Sequence, residues 1–483
     1  ELAQASGQPI GELDDRSRLA LREAGDRAFA LNSFSAAEKY YEEALELWPE
    51  SDPDRPELLF RRAHALYLVG DDRREKALLE ARDVSLAAGD TERAAEAQAF
   101  LASVAWYRGQ FDKVKPHLDR AAELAGGTPS GARARVLSMS ARLRTVSGEA
   151  EAGMRIAEEA LEMAGALGLD ELRAHALATI GTAKSYALDD PTGVPDLERA
   201  LEIALEIDSP IAGAIVNNLA ACIPVGDGGL LRAEELYAES RRLAERFGDG
   251  LGLRFFRGIS VWLDWVRGRW DDALESANKF VAECEAGSPH VLESYVHLNR
   301  ASIRLGRGDI EGALADQARA LTLARGTKDP EILAAVLAVS AGNYAEVEKW
   351  DDARTLVDEL IPVIQAHPDA TSWESVAAPY AERLGVREEL REIVETASSN
   401  GWNEASLLAL DLDFLGAAEI FAAMPSPTLE AWQRRSAGKH LIQAGRRAEG
   451  NVELEKALVF YRSVGATFYV DRCQALLREA KTA

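Results

Sequence analysis

Small and apolar residues recur along this chain at a fixed spacing of about forty residues, and that period limits the fold more than any other feature. The pairs Ala44–Leu45, Ala121–Ala122, Ala160–Leu161, Ala200–Leu201, Ser240–Arg241, Phe280–Val281, Ala320–Leu321 and Leu360–Ile361 fall at equivalent places, and from Ala121 the spacing holds for six successive steps. Trp270-Asp271-Asp272-Ala273 and Trp350-Asp351-Asp352-Ala353 repeat the same four residues two periods apart. Gly109-Gln110-Phe111-Asp112, Gly268-Arg269-Trp270-Asp271 and Gly308-Asp309-Ile310-Glu311 share one turn pattern of glycine, spacer, apolar anchor and acid. Glycine supplies a left-handed turn residue, and the acid lies where the next helix dipole favours it. No stretch alternates apolar and polar residues for long enough to argue a strand.

The opening unit shows why such a chain packs. Leu21 to Pro49, LREAGDRAFALNSFSAAEKYYEEALELWP, reads as two amphipathic helices joined at Asn32–Ser33. Small residues at Gly25, Ala37 and Ala44 alternate with large ones at Leu21, Phe34, Tyr41 and Leu45. Two antiparallel helices approach closely only where one surface is nearly bare, and bulky neighbours then fill the grooves beside the crossing. The unit closely resembles the tetratricopeptide repeat. The expected fold is all-α, a right-handed α-α superhelix of about 11–12 antiparallel helix pairs. Residues 1–14 are expected to form a linker, 15–361 regular repeats, 362–427 degenerate repeats marked by Trp373, Pro379, Gly401 and Trp402, and 428–483 a last repeat with a capping helix. Longer turns are expected at Asp189–Pro195 and Pro224–Gly229.

Composition narrows the partners. The formal net charge of −25 repels phosphate backbones and anionic lipid, so neither nucleic acid nor membrane is expected to bind through this chain. Arg133, Arg135, Arg142 and Arg144 form a local basic stretch, read here as part of a solvated helix face. Three widely spaced cysteines, Cys222, Cys284 and Cys473, fit a reducing compartment, and a cytoplasmic protein is expected. The chain begins at Glu1 without an initiator methionine, as a piece of a longer protein would.

Catalytic and metal-binding patterns are weak. His290, Glu293 and His297 share a helix face, but the histidines are seven apart and lack a third ligand. Ser436-Ala437-Gly438-Lys439 has the spacing of a nucleophilic serine and lysine, yet Gly438 falls at the small packing position of a repeat. No phosphate-binding loop is present. The chain is therefore expected to have no enzymatic activity, no cofactor and no metal. The better candidates are polar residues on first helices, which line the concave side of such arrays. Asn218 and Asn299 each stand two residues before a small position, where an amide that both donates and accepts can grip a peptide backbone. Arg61, Arg300 and Arg304 are placed to add carboxylate contacts. Phe255, Trp262 and Tyr295 read as core.

The same opening segment, with GLDELRAHALATIGTAK near the middle and LEKALVFYRSVGAT near the end, resembles the C-terminal tetratricopeptide region of bacterial adenylate/guanylate cyclase–ATPase signalling proteins. That resemblance implies a non-catalytic sensory arm that binds a peptide or protein partner and regulates an ATPase or cyclase domain attached in cis. Two alternatives stay open: a small-molecule sensor with its pocket near Leu253–Trp270, and a structural self-association module.

Overall fold

A computed structural model describes residues 10–188, 190–222, 229–327, 329–367, 374–397 and 400–482. Among them the regular structure is twenty-five α-helices and one π-helical turn, without a strand. The helices form twelve consecutive pairs and a cap. The first six pairs are α1 (Ile10–Ala30) with α2 (Phe34–Leu47), α3 (Arg55–Val69) with α4 (Arg74–Ala87), α5 (Thr91–Tyr107) with α6 (Phe111–Ala125), α7 (Gly131–Thr145) with α8 (Ala150–Leu167), α9 (Asp170–Thr182) with α10 (Gly193–Glu206), and α11 (Ile211–Cys222) with α12 (Gly229–Phe247). There follow α13 (Gly250–Val266) with α14 (Trp270–Glu285), α15 (Glu293–Gly306) with α16 (Ile310–Thr327), α17 (Pro330–Glu346) with α18 (Trp350–Ala366), α19 (Glu374–Leu384) with α20 (Arg387–Thr396), α21 (Gly401–Leu410) with α22 (Phe414–Ala423), and α23 (Pro427–Gln443) with α24 (Arg447–Ser463). Helix α25 (Thr467–Thr482) is the cap.

The repeat signals explain this pairing. Ala44, Ala121, Ala160, Ala200, Ser240, Phe280, Ala320 and Leu360 are all buried, one on each of eight second helices. At the first crossing a Cβ on Gly25 would come within 2.5 Å of the Tyr41 ring, so only a bare backbone fits there. The turn glycines Gly109, Gly268 and Gly308 take φ values of 70°, 76° and 87°. Trp270 and Trp350 each start a second helix, with Ala273 and Ala353 fully buried one turn on.

The turn expected up to Pro195 is shorter, because α10 already begins at Gly193. Gly193 and Gly181 lie backbone to backbone, which lets the start of α10 close against the end of α9, extended by the π turn Ala183–Ala187. Asp189, residues 223–228 and Trp373 fall outside the described residues. In the stretch expected to be degenerate, α19 to α22 are complete pairs but short, at 10–11 residues each. The first helix starts at Ile10, inside the segment expected to be a linker.

The chain divides into two compact units, one of Glu1–Cys222 with Leu236–Arg254, the other of Ile223–Glu235 with Phe255–Ala483. In the first unit α3, α5, α7, α9 and α11 adjoin one another in series, and in the second so do α15, α17, α19 and α21. Among the described residues, second helices show such close contact only between α18 and α20. Tighter spacing on the first-helix side bends each array so that the first helices form its inner layer. Each unit also joins elements distant in sequence. In the first, the Asn32 amide donates to the Asp208 carbonyl at 3.0 Å, and Gly70 lies against Leu251. In the second, the Trp270 indole donates to the Thr428 hydroxyl at 3.1 Å, and the Thr467 hydroxyl donates to the Arg307 carbonyl at 2.9 Å.

Candidate functional site

Three successive inner helices of the first unit, α7, α9 and α11, open a cleft between them. Its floor is aliphatic, from Val146, Ala178, Ile211 and Ile215, and Arg142, His175, Thr182 and Asn218 supply its polar groups. Each of the three repeats thus brings at least one polar side chain to the cleft, and α9 brings both His175 and Thr182.

Asn218 donates through Nδ2 to the Thr182 hydroxyl at 3.1 Å, and Thr182 in turn donates to the Ala178 carbonyl at 2.8 Å. Its amide oxygen accepts nothing from the described residues. His175 keeps a buried Nδ1 without a hydrogen-bond partner. Burial, reinforced by the charges of Arg142 and Arg135, pushes this imidazole down to about 3, so it is neutral at ordinary pH. Arg142 donates to Ser103 Oγ at 2.9 Å, with its guanidinium carbon 5.5 Å from the Trp106 ring centre and 5.8 Å from that of Tyr107. The cleft therefore offers an acceptor, a neutral ring nitrogen and a cation, each with unused capacity.

The other expected site residues lie elsewhere. Arg61 lines a second cleft with Asp26, Phe29, Phe60 and His64, but its guanidinium is already bound by Asp26 and Glu57. Asn299 and Arg300 were expected on an open groove face, and both are buried. The reason is local: α15 packs against α14, α16, α17 and the cap α25, so twelve of its fourteen residues are buried. Asn299 donates to the Tyr295 carbonyl at 2.8 Å, within its own helix. Arg300 binds Asp316 through Nε at 2.8 Å, Arg304 binds the same carboxylate at 2.8 Å, and His297 donates to it at 2.8 Å. Burial works to raise the Asp316 carboxyl, but the His297 and Arg300 hydrogen bonds outweigh it and hold it below the usual carboxylate range.

The weak catalytic patterns resolve into packing. His297 is tied to Asp316, and His290 Nδ1 accepts the Leu292 N–H at 3.2 Å. The Ser436 hydroxyl donates to the Trp432 carbonyl at 3.1 Å, and Gly438 lies against Leu454, which a Cβ would meet at 2.6 Å. Among the described residues no group of three or more His, Cys, Asp or Glu side chains is placed to hold a metal ion, and no helix is long and apolar enough to cross a membrane. All three cysteines are buried and outside any disulfide, and burial pushes the Cys222 thiol up to about 12 and that of Cys473 to about 11.

Sequence reasoning missed Arg142. It treated the four arginines of α7 alike, and three of them do pair with acids: Arg133 with Glu159, Arg135 with Glu96 and Arg144 with Glu149. The available signal was a helix of fifteen residues with four arginines and no acid, in a chain of net charge −25.

The sequence matches no protein-family model and no curated protein. Among solved structures, a Rap protein complexed with competence and sporulation factor aligns over 74% of this chain and 99% of its own, at 16% identity and a TM-score of 0.52. Yeast Tom70 aligns over 96% of this chain and 97% of its own, at 13% identity and a TM-score of 0.32. A human IFIT1 dimer with PPP-AAAA aligns over 86% and 96%, at 17% identity and a TM-score of 0.39. The likeness to the Rap protein is one of fold, and in fold this chain is an all-α superhelical array of tetratricopeptide-like helix pairs.

Proposed function

We propose that this chain is a non-catalytic interaction scaffold that binds an extended peptide or protein segment along the inner helices of its first unit. The observation that supports this reading most is the cleft of α7, α9 and α11, where three repeats in succession present polar groups with spare bonding capacity over an aliphatic floor. An extended peptide carries the complementary groups, since its backbone offers donors and acceptors in alternation. In the same reading the scaffold is the regulatory arm of a larger signalling protein, with an ATPase or cyclase domain in cis, working in the cytoplasm. Segment binding would stiffen a series of nearest-neighbour contacts and pass that change along the array.

Enclosure of a small molecule is the weaker reading. The inner cleft encloses about 50 Å³ and the cleft at Arg61 about 240 Å³, against roughly 300–1,000 Å³ for typical ligand pockets. The test uses the purified chain and a pool of random eight-residue peptides, with retained peptides identified by mass spectrometry. Asn218→Ala is expected to weaken the retained peptides about tenfold, as loss of a backbone-gripping amide does, with helicity unchanged. Equal affinity would remove Asn218 from the site. The arm role is tested by the reading frame upstream of Glu1, where an ATPase or cyclase domain is expected.

A further inference from the structure

Helix α7 runs against the charge of this acidic chain, with Arg133, Arg135, Arg142 and Arg144 and no carboxylate in fifteen residues. Three of these charges are answered by Glu159, Glu96 and Glu149 at 2.9 Å, 2.9 Å and 2.5 Å. Arg142 differs. Its bonds among the described residues go to the Ser103 hydroxyl at 2.9 Å and to the Met139 sulfur at 3.9 Å, and no carboxylate lies within ion-pair distance. It is half-buried, held over Trp106 and Tyr107 and aimed into the cleft that His175 and Asn218 share.

A half-buried guanidinium has given up part of its hydration, and without a counter-charge the Ser103 hydroxyl and the two rings return only part of that loss. The arrangement is costly alone and favourable once an anion arrives. Ser103 and the two aromatic rings fix the plane of the fork, so little ordering remains at the moment of binding. A planar fork matches the two oxygens of a carboxylate. The neighbouring groups agree with a single small anion: His175 is neutral, and the surrounding floor is aliphatic. A polyphosphate backbone would need several free cations in a row, whereas the other three arginines of α7 are already paired.

We infer that Arg142 is a carboxylate-binding subsite, and that the segment bound along α7, α9 and α11 places an aspartate, a glutamate or its own C-terminal carboxylate there. This rests on the groove reading above and adds the chemistry of one position of the bound segment.

The same pool of random eight-residue peptides with free C-termini tests it. The wild-type chain is expected to enrich Asp or Glu at one position, or to require a free terminus, by about tenfold over the input, as befits a charge-assisted hydrogen bond. Arg142→Gln should abolish that selection and keep the preferences at other positions. Arg142→Lys keeps the charge without the fork and should retain a reduced acid selection, which decides the matter if the glutamine variant loses helicity. Amidated peptides run in parallel separate a terminal carboxylate from a side chain. Peptides retained by the wild type without any acid or terminus preference overturn the inference and leave the groove reading standing. No peptide retained overturns both. Arg142-dependent retention of a ten-residue oligouridylate in place of acidic peptides also overturns it, in favour of a nucleic-acid ligand.

Discussion

At residue scale, Glu348 stands where other repeats turn on glycine, as Asn32 and Leu412 do in theirs. The turn residue two places before Trp270 is Gly268, and the equivalent residue before Trp350 is Glu348, which takes φ 63° with an exposed side chain. A Cβ in the left-handed region costs about 1–2 kcal/mol, and glycine returns part of that gain as added freedom in the unfolded chain. Glu348→Gly should therefore raise stability by about 0.5–1 kcal/mol, seen as a higher urea midpoint with unchanged slope. A midpoint that stays or falls would mean that Glu348 is not strained. Such turn positions were legible because glycine repeats there. The site residues were less so. Asn218 lies beside the cleft of α7, α9 and α11, whereas Asn299 has the same local spacing and is buried by helices that its own neighbourhood in sequence does not reveal.

At the scale of elements, helix pairing and phase could be read directly, because each second helix repeats its buried small or apolar residue. The limits of the short helices α19 to α22 could not, since prolines and glycines there disturb the period without destroying the pairs. One consequence of element packing is a dependence on pH. His64 on α3 is enclosed by Phe29 at 5.2 Å, Phe60 at 6.1 Å and Phe100 at 4.7 Å, so α1, α3 and α5 share one aromatic layer. Burial, with the Arg135 charge, pushes this imidazole down to about 3. An unfolded histidine titrates near 6.5, so below that pH the unfolded chain takes up a proton that the folded one refuses. The stability this group contributes is thus fully present above about pH 6.5 and is lost as the pH falls towards 3, at no more than about 1.4 kcal/mol per pH unit. His64→Phe keeps the ring packing and removes the titration. The stability of the wild type relative to this variant should fall between pH 6.5 and 4, as followed by urea unfolding. Parallel curves would show that His64 ionises freely in the folded state.

At the scale of the whole molecule, each unit is closed by contacts that no local pattern encodes, and the second unit closes on a buried charge. Glu346 at the end of α17 and Arg435 on α23 are 89 residues apart, yet Arg435 Nη1 donates to Glu346 at 3.0 Å and Tyr380 of α19 donates to the same carboxylate. The guanidinium also lies 4.8 Å from the ring centre of Tyr469 on the cap. Burial acts to raise the Glu346 carboxyl, but the Arg435 charge outweighs it and holds it ionised, below the usual carboxylate range. Four helices from separate repeats therefore meet at one ion pair. The sequence could not show this, because each partner sits at an ordinary position of its own repeat. A buried pair contributes little over an apolar pair of equal volume, but a single survivor is very unfavourable. Arg435→Met should thus cost about 3–5 kcal/mol by stranding the carboxylate. Adding Glu346→Gln should restore most of that loss, because the remaining amide can accept from Tyr380 and needs no counter-charge. Amide hydrogen exchange in α17, α19 and α23 reports the result helix by helix within the second unit. Exchange that accelerates in these three helices with the single variant and slows again with the double identifies the pair as the closure. Exchange that speeds equally with both variants would place the closure in the apolar contacts of the cap.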